Sequence, residues 1–390
     1  MPEFLQLIES IRAEEASVQR LFGSEEGDVS VREALRRRQG PQYKQRLLEA
    51  AQFTAEVFAG RRAMWQLREA LSTSDFPIYF GDTLDRLVLQ EYREAPSDWR
   101  QFLRTSVVRD FRTVDRYRFS DGDQVLDRVA QGANYPAGDR DETSYSFRIN
   151  KYGRRIPILW EALVNDDLDA LRQMPSVLGR AARRTENRFA SSLYVANAAL
   201  YNAGFGNAGT AALSLTALEA AYNTMAGFRD ANGEPIFNRP AYLVVDPVLE
   251  LTAQRLLGTM QVQWIGTPPL QPPATAVAWP SDNVMRGRLQ ILVDPYISIL
   301  DAANGATSWY LFADPREGHA AEVAFLSGYE EPQLFMKASN QIRLGAGPTD
   351  PTGGDYDTDA VDYKVRHVVG GASAQAVGNW RFTYWSNGTV

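Results

Sequence analysis

Residues 151–171 read KYGRRIPILWEALVNDDLDAL, and the fold turns on what kind of joint this stretch makes. Lys151, Arg154 and Arg155 crowd its front, IPILW fills its middle, and Asn165-Asp166-Asp167 leads into a helix. Pro157 has no amide hydrogen, so its strand belongs at a sheet edge or a bulge. Asn165 or Asp166 can cap the next turn, where acids also suit the positive end of a helix. A charged strand therefore passes straight into a helix start, with nothing between that performs chemistry.

Upstream, SYSFRIN (144–150) alternates strictly, with Tyr145, Phe147 and Ile149 on one side. Before it, Ser120 to Thr143 is polar and rich in turn signals (DGD, QGANYPAG, DRDET), and RTSVVRDFRTVDRYRFS (104–120) is β-branched and aromatic. Two strand regions around a polar tip predict a long β-hairpin. Two strands alone are marginal in water, so this hairpin needs a surface to lie on. The cations at its base read as salt-bridge partners for acids on another subunit, and the tip offers such acids in Asp139, Asp141 and Glu142. The same cations suit phosphate, but no aromatic stacking residues flank them.

Downstream of Pro175, SVLGRAARRTENRFASSLYVANAAL predicts a helix of about 25 residues, or ~38 Å. Leu178, Ala181, Ala182, Thr185, Phe189, Ser192, Val195, Ala196 and Ala199 share one stripe, whose small residues permit close backbone approach. From Leu213 strand and helix signals alternate. TALEAAYNTMAGFRD is helical, and three strands end in Asp-Pro: AYLVVDP, LQILVDP and WYLFADP. This predicts a mixed α/β domain, with Asp246 capping a helix that has Pro247 in its first turn. An acidic loop, GPTDPTGGDYDTDAVD, precedes VDYKVRHVV and a last aromatic strand, NWRFTYWS. At the other end, residues 1–72 read as a helical region of their own, with eleven acids balanced by eleven Lys and Arg. GDTLDRLVLQEYREAP then predicts a helix stopped by Pro96.

Composition removes several functions. The 390-residue chain has no cysteine, which excludes disulfides, thiolate metal sites and a cysteine nucleophile. Its two histidines, His319 and His367, are too few for a multi-histidine metal centre, and any Ser-His-Asp mechanism must use one of them. The net charge of −7 argues against a protein whose main work is gripping nucleic acid. No apolar run reaches the ~20 residues that cross a bilayer, and glutamates in MPEFLQLIES stand where a secretory signal carries positive charge, so a cytosolic origin is expected.

Motif matches fail on context. Gly204-Phe205-Gly206-Asn207-Ala208-Gly209 spells GxGxxG, but it follows a predicted helix instead of joining a strand to a helix start, and reads as a stop signal. Asp355, Asp357 and Asp359 open like a calcium loop, yet Ala360 and Arg366 occupy the positions that need Gly and Glu. There is no GxSxG elbow. No cofactor, metal or catalytic residue is expected.

The order of parts resembles the major capsid protein fold of tailed bacteriophages, the Hong Kong 97 type, and most of all the Mu-like prophage major head subunit branch. The residues that carry the resemblance are SDFPIYFGDTLDRLVLQEY, SVVRDFRTVDRYRF, NKYGRRIPILWEALVNDDLDAL with GRAARRTENRF, AYLVVDP, LQILVDPYI, WYLFADP and EVAFLSGYEEPQL. The resemblance implies an α+β fold: a helical segment (1–72), scaffold-like or an extended arm; an N-arm (73–112); an extended loop (113–160); a spine helix of the peripheral domain (161–212); an axial domain (213–345); and return strands of the peripheral domain (346–390). It implies a non-enzymatic subunit that assembles with itself, as hexamers and pentamers, into an icosahedral shell around double-stranded DNA. Scaffold, portal and decoration proteins are further partners in such heads, which form in the host cytoplasm without a membrane. Asn134, Tyr135, Asp139, Arg140, Asp141, Glu142, Lys151, Arg154 and Arg155 are then the expected intersubunit contacts. Some relatives crosslink a lysine of the extended loop to a neighbour, but no lysine lies between Thr113 and Asn150 here. An encapsulin-like compartment shell and an α/β hydrolase using His319 or His367 are the alternatives. Enclosed nucleic acid separates the first from a phage shell, and loss of activity on changing a histidine identifies the second.

Overall fold

The computed structural model describes residues 41–59, 61–62, 66, 70, 76–119, 128–129, 131, 142–158, 168–230, 233–236, 238–266, 277–337, 339 and 355–389. In chain order its elements are helices α1 (Pro41–Phe58) and α2 (Phe76–Glu94), strands β1 (Arg104–Val108), β2 (Val114–Phe119), β3 (Glu142–Phe147) and β4 (Ile149–Ile158), helix α3 (Leu168–Ser192), strand β5 (Ala208–Gly209), helix α4 (Leu215–Ala226), strand β6 (Pro240–Val245), helix α5 (Glu250–Gly258), strands β7 (Gln261–Gly266), β8 (Val277–Asp282) and β9 (Gln290–Val293), helix α6 (Ile297–Leu300), and strands β10 (Trp309–Ala313), β11 (Ala321–Leu326), β12 (Gln333–Met336), β13 (Val361–Ser373) and β14 (Thr383–Ser386). They fall into two units. One comprises Met1–Pro96, Lys151–Thr185 and Gly328–Val368; the other comprises Ser97–Asn150, Glu186–Ser327 and Val369–Val390.

In the first unit α1 and α2 pack together. Each buries one stripe at helical spacing: Leu47, Ala50, Ala51, Thr54 and Val57 on α1, and Leu84, Leu87, Val88 and Tyr92 on α2. Pro77 is the second residue of α2, where a missing amide costs nothing, and the helix stops short of Pro96. Segment 1–72, expected as a region of its own, thus contributes α1 to a shared core with α2. Asp85 of α2 accepts the Leu334 amide of β12 at 2.9 Å. Arg183 of α3, only 5% exposed, donates to the Tyr92 carbonyl at 2.9 Å and lies 3.8 Å from the centre of the Tyr92 ring.

Helix α3 has the expected 25 residues but is displaced toward the N-terminus. It begins at Leu168, ahead of Pro175, which lies buried inside it, and it ends at Ser192. Beyond Ser192 the chain turns, with Ala196 in the left-handed region (φ 48°), and Tyr194 becomes fully buried. Ser192, Ala196 and Ala199 are therefore exposed instead of lying on a buried stripe.

The second unit holds a mixed sheet in the order β5-β14-β10-β6-β9. β6 and β9 run parallel, while β10 is antiparallel to both β6 and β14. Central strand β10 is buried throughout. Period-2 alternation sends Trp309, Leu311 and Ala313 into a cluster with Leu218, Met225, Ala253 and Leu257 of α4 and α5. Phe312 packs on Phe102 and Tyr194 at 4.5 and 5.2 Å between ring centres, and Tyr310 lies 5.2 Å from Tyr194. The three Asp-Pro corners behave alike: Asp246, Asp294 and Asp314 accept the amides of Val248, Tyr296 and Arg316 at 2.9–3.0 Å. The GxGxxG stretch is a short 3-10 turn, Ala203–Phe205, capped by Asn202 and closed by Gly206 at φ 75°.

Residues 346–390, expected as return strands of the peripheral domain, contribute strands to both units. The first half of β13 pairs with β12 in the first unit, its second half pairs with β11 in the second, and β14 joins β10 in the mixed sheet. Gly370 and Gly371 stand where β13 enters the second unit. A Cβ on Gly370 would lie 2.4 Å from the Arg148 carbonyl oxygen, and one on Gly371 would lie 2.1 Å from that of Glu322. Neither backbone oxygen can swing away as a side chain can. Gly370→Ala and Gly371→Ala are each expected to destabilise the fold by about 1–3 kcal/mol, the range for overpacking, read as a lower midpoint of thermal unfolding. An unchanged midpoint refutes the close approach.

Candidate assembly surfaces

β2 and β3 form the root of the predicted hairpin, antiparallel from Val114 opposite Phe147 to Phe119 opposite Glu142. The alternation read in SYSFRIN holds: Tyr145, Phe147 and Ile149 are buried, while Ser144, Ser146 and Arg148 are exposed. On the outer face Tyr117 is 61% exposed.

Under the root lies Glu322, fully buried in the apolar strand β11. Arg116 reaches it from β2 at 3.0 Å, and the Tyr145 hydroxyl donates to it from β3. Burial raises the pKa of Glu322, but the nearby Ser106 and Tyr145 hydroxyls and the Arg116 guanidinium outweigh it and hold the carboxyl below its usual range. Burial, reinforced by Glu322, pushes the Tyr145 phenol well up, so it stays a donor. His319 Nε2 lies 3.2 Å from the same hydroxyl. Burial and then the Arg104 guanidinium bring its pKa down to about 4, despite Glu322, so the ring is neutral at pH 7. Arg118, next along β2, donates to Asn379 Oδ1 at 2.9 Å, and Asn379 Nδ2 donates to the His319 carbonyl at 2.9 Å. The hairpin root is thus held to its own unit by charge as well as by aromatic burial.

The candidate contact residues separate. Asn134, Tyr135, Asp139, Arg140 and Asp141 lie outside the described residues, and Glu142 opens β3 in the second unit. Lys151, Arg154 and Arg155 are exposed on β4 in the first unit. Arg155 has a partner in its own chain: its Nε donates to Asp362 at 2.8 Å. Lys151 and Arg154 make no ion pair among the described residues. The Glu322 network was not foreseen, because a glutamate inside AEVAFL looks like a surface position of an alternating strand. The excess of cations in VDRYRF, facing a strand from elsewhere, was the available signal.

Neither histidine is arranged as a catalytic base. The Tyr145 hydroxyl stands between His319 and Glu322, so the carboxylate does not orient the imidazole. His367 is buried in β13, edge-on to Tyr92 at 5.6 Å. Among the described residues no group of three or more His, Asp or Glu side chains is placed to hold a metal, and Asp355 pairs with Lys337 at 2.9 Å. No helix among the described residues is long and apolar enough to cross a membrane.

The neutral His319 fixes a pH dependence. Its pKa is depressed from 6.5 to about 4 in the fold, so the unfolded chain takes up a proton first as pH falls. The stability that a neutral His319 contributes is then complete above pH 6.5 and declines down to about pH 4, and the contribution of Glu322 is lost lower still. Denaturant unfolding between pH 7 and 4 is expected to show this decline, and His319→Gln to flatten it. An identical slope in the variant removes the histidine from the cause.

Residues 142–386 match the phage capsid protein family, which covers more than half of the chain. No curated protein matches. Among solved structures the chain is similar to that of Microbacterium phage Oxtober96 (12% identity, TM-score 0.41, covering 75% of this chain and 90% of that one). It is also similar to the capsid of cyanophage P-SCSP1u (13%, 0.43, 75% and 90%) and to the acid-stable capsid of Helicobacter pylori bacteriophage KHP30 (10%, 0.40, 73% and 87%). The chain belongs to the phage capsid protein family, and its function is that of a capsid shell protein.

Proposed function

We propose that this phage capsid protein is the major subunit of an icosahedral head of the Hong Kong 97 type, on the Mu-like branch, and that it works by self-association without catalytic turnover. In this reading residues 113–160 are the extended loop that overlaps a neighbour. Segment 161–212 supplies the spine of a peripheral domain and 213–345 the axial domain. Copies gather as hexamers and pentamers around double-stranded DNA, which the acidic chain encloses without gripping. Scaffold, portal and decoration proteins are the further partners of such a shell, assembled in the host cytoplasm.

The observation that supports this reading is the rooted hairpin. The Glu322–Arg116–Tyr145 network fixes β2 and β3, the two strands that flank the loop, before any neighbour is met. An arm with a fixed root loses less freedom on docking than one free at both ends. The exposed cations Lys151 and Arg154 then serve contacts with another copy, for which Asp139, Asp141 and Glu142 of the neighbour's hairpin are candidates.

Deleting Gly132–Asp141 leaves β3 intact and is expected to leave the unfolding midpoint nearly unchanged while abolishing closed shells, judged by electron microscopy and sedimentation. Shells of normal size and yield from the deletion overturn the role of the loop. Particles that enclose protein cargo and no nucleic acid point instead to an encapsulin-like compartment.

A further inference from the structure

Within the first unit, β4, β13 and the middle of α3 line a groove of about 530 Å³, a volume typical of specific binding sites. Small residues leave it open: Ala181 on the helix side and Gly153 on the strand side. The glycine is required, because a Cβ there would lie 2.7 Å from the Val365 carbonyl oxygen. The charge of the lining is one-sided. Arg154, Arg180 and Arg184 face the groove, and among the described residues no acid lines it. Arg180 is occupied by Glu91 at 2.9 Å, whereas Arg154 and Arg184 are exposed and make no ion pair among the described residues. Val177, 45% exposed, adds an apolar patch to the wall.

The same unit carries a surface of the opposite kind. Residues 355–360 form a closed turn, with the Asp355 amide on the Ala360 carbonyl at 3.0 Å and the Asp359 amide on the Asp355 carbonyl at 2.8 Å. Lys337 ties Asp355 to the body at 2.9 Å. Asp359 adopts the left-handed conformation at φ 49°, which aspartate tolerates better than most residues. On this frame Asp357 and Asp359 are exposed and Tyr356 is 75% exposed. Because these side chains stand open to solvent, the turn does not fill the groove of its own chain. It is a preformed acidic projection that ends in an aromatic ring.

We propose that Tyr356–Asp359 of one copy seats in the Arg154–Arg184 groove of a second copy. The two carboxylates meet the guanidiniums, and the tyrosine ring packs on Val177 and an arginine plane. The two surfaces differ, so the contact runs head to tail and generates a ring when its rotation closes. This inference rests on the shell-subunit reading, and it moves the partner of Arg154 from the hairpin tip to the 355–360 turn. It also gives a role to an acidic loop that fails as a calcium site.

A charge-reversal cycle on the full chain tests it. Asp357→Lys with Asp359→Asn reverses the turn while respecting its backbone, and Arg154→Glu with Arg184→Glu reverses the groove. Each pair alone is expected to lower the yield of closed shells by about tenfold or more. All four changes in one chain restore it, with circular dichroism and the unfolding midpoint of the subunit unchanged throughout. Full assembly of either reversed chain, or no recovery in the combined chain, overturns the contact, and leaves the shell-subunit reading intact as long as the unaltered chain assembles. Recovery of the groove variant by Asp139→Lys with Asp141→Lys instead assigns the groove to the hairpin tip and overturns the proposal. Loss of duplex DNA retention with assembly intact in the groove variant assigns it to phosphate, with the same consequence.

Discussion

A carboxylate with no access to water governs the second unit. Glu322 sits in a strand whose every residue is buried, and an isolated charge there would cost several kcal/mol. It is tolerated because two strands from a distant part of the sequence each bring a partner, Arg116 from β2 and Tyr145 from β3. Hydrophobic burial alone would let the hairpin root slide along the body, since apolar contacts are non-directional. The carboxylate accepts from fixed directions and so sets the register. Tyr145 lies opposite Arg116 in the β2–β3 ladder, so a slip of one residue would turn both partners away together.

A second constraint acts at the ends of the strands in the mixed sheet. β10 is filled on both faces, so its neighbours must stop and turn sharply at the rim. The three Asp-Pro corners supply that stop by capping the next amides. Asp294 does more, accepting hydrogen bonds from Ser191 and Tyr194 just where α3 ends. Burial raises its pKa against those bonds. Helix and sheet therefore terminate on a shared polar point, which explains why α3 stops there and not at Leu200.

Much of this architecture was legible in the chain because its signals are local. Alternation in SYSFRIN marked the face of β3, and Pro96 marked the end of α2. The repeated Asp-Pro located three strand ends. What was not legible depended on residues far apart in sequence. Pro175 reads locally as a helix start, yet it is buried within α3, whose limits are set by packing. The split of the tail between β12, β11 and β10 follows from pairing partners and not from propensity. The pairing of Arg155 was equally hidden, because Asp362 is brought beside it only by the fold.

The strengths of these interactions divide along the line a shell requires. The carboxylate that fixes the hairpin root, Glu322, is fully buried with Arg116 and Tyr145 beside it and a neutral imidazole at His319. The charges proposed to meet other copies, on Lys151, Arg154, Arg184, Asp357 and Asp359, are exposed, where an ion pair contributes about 0–1 kcal/mol and weakens with salt. Such a contact cannot hold two copies together by itself. Repeated around a ring and between rings it becomes collectively strong while each copy can still leave a wrong site. A subunit whose outer contacts matched its inner ones in strength would trap its first misplacement. The exposed position of the arginines and acids is therefore what an assembly that must close without errors demands.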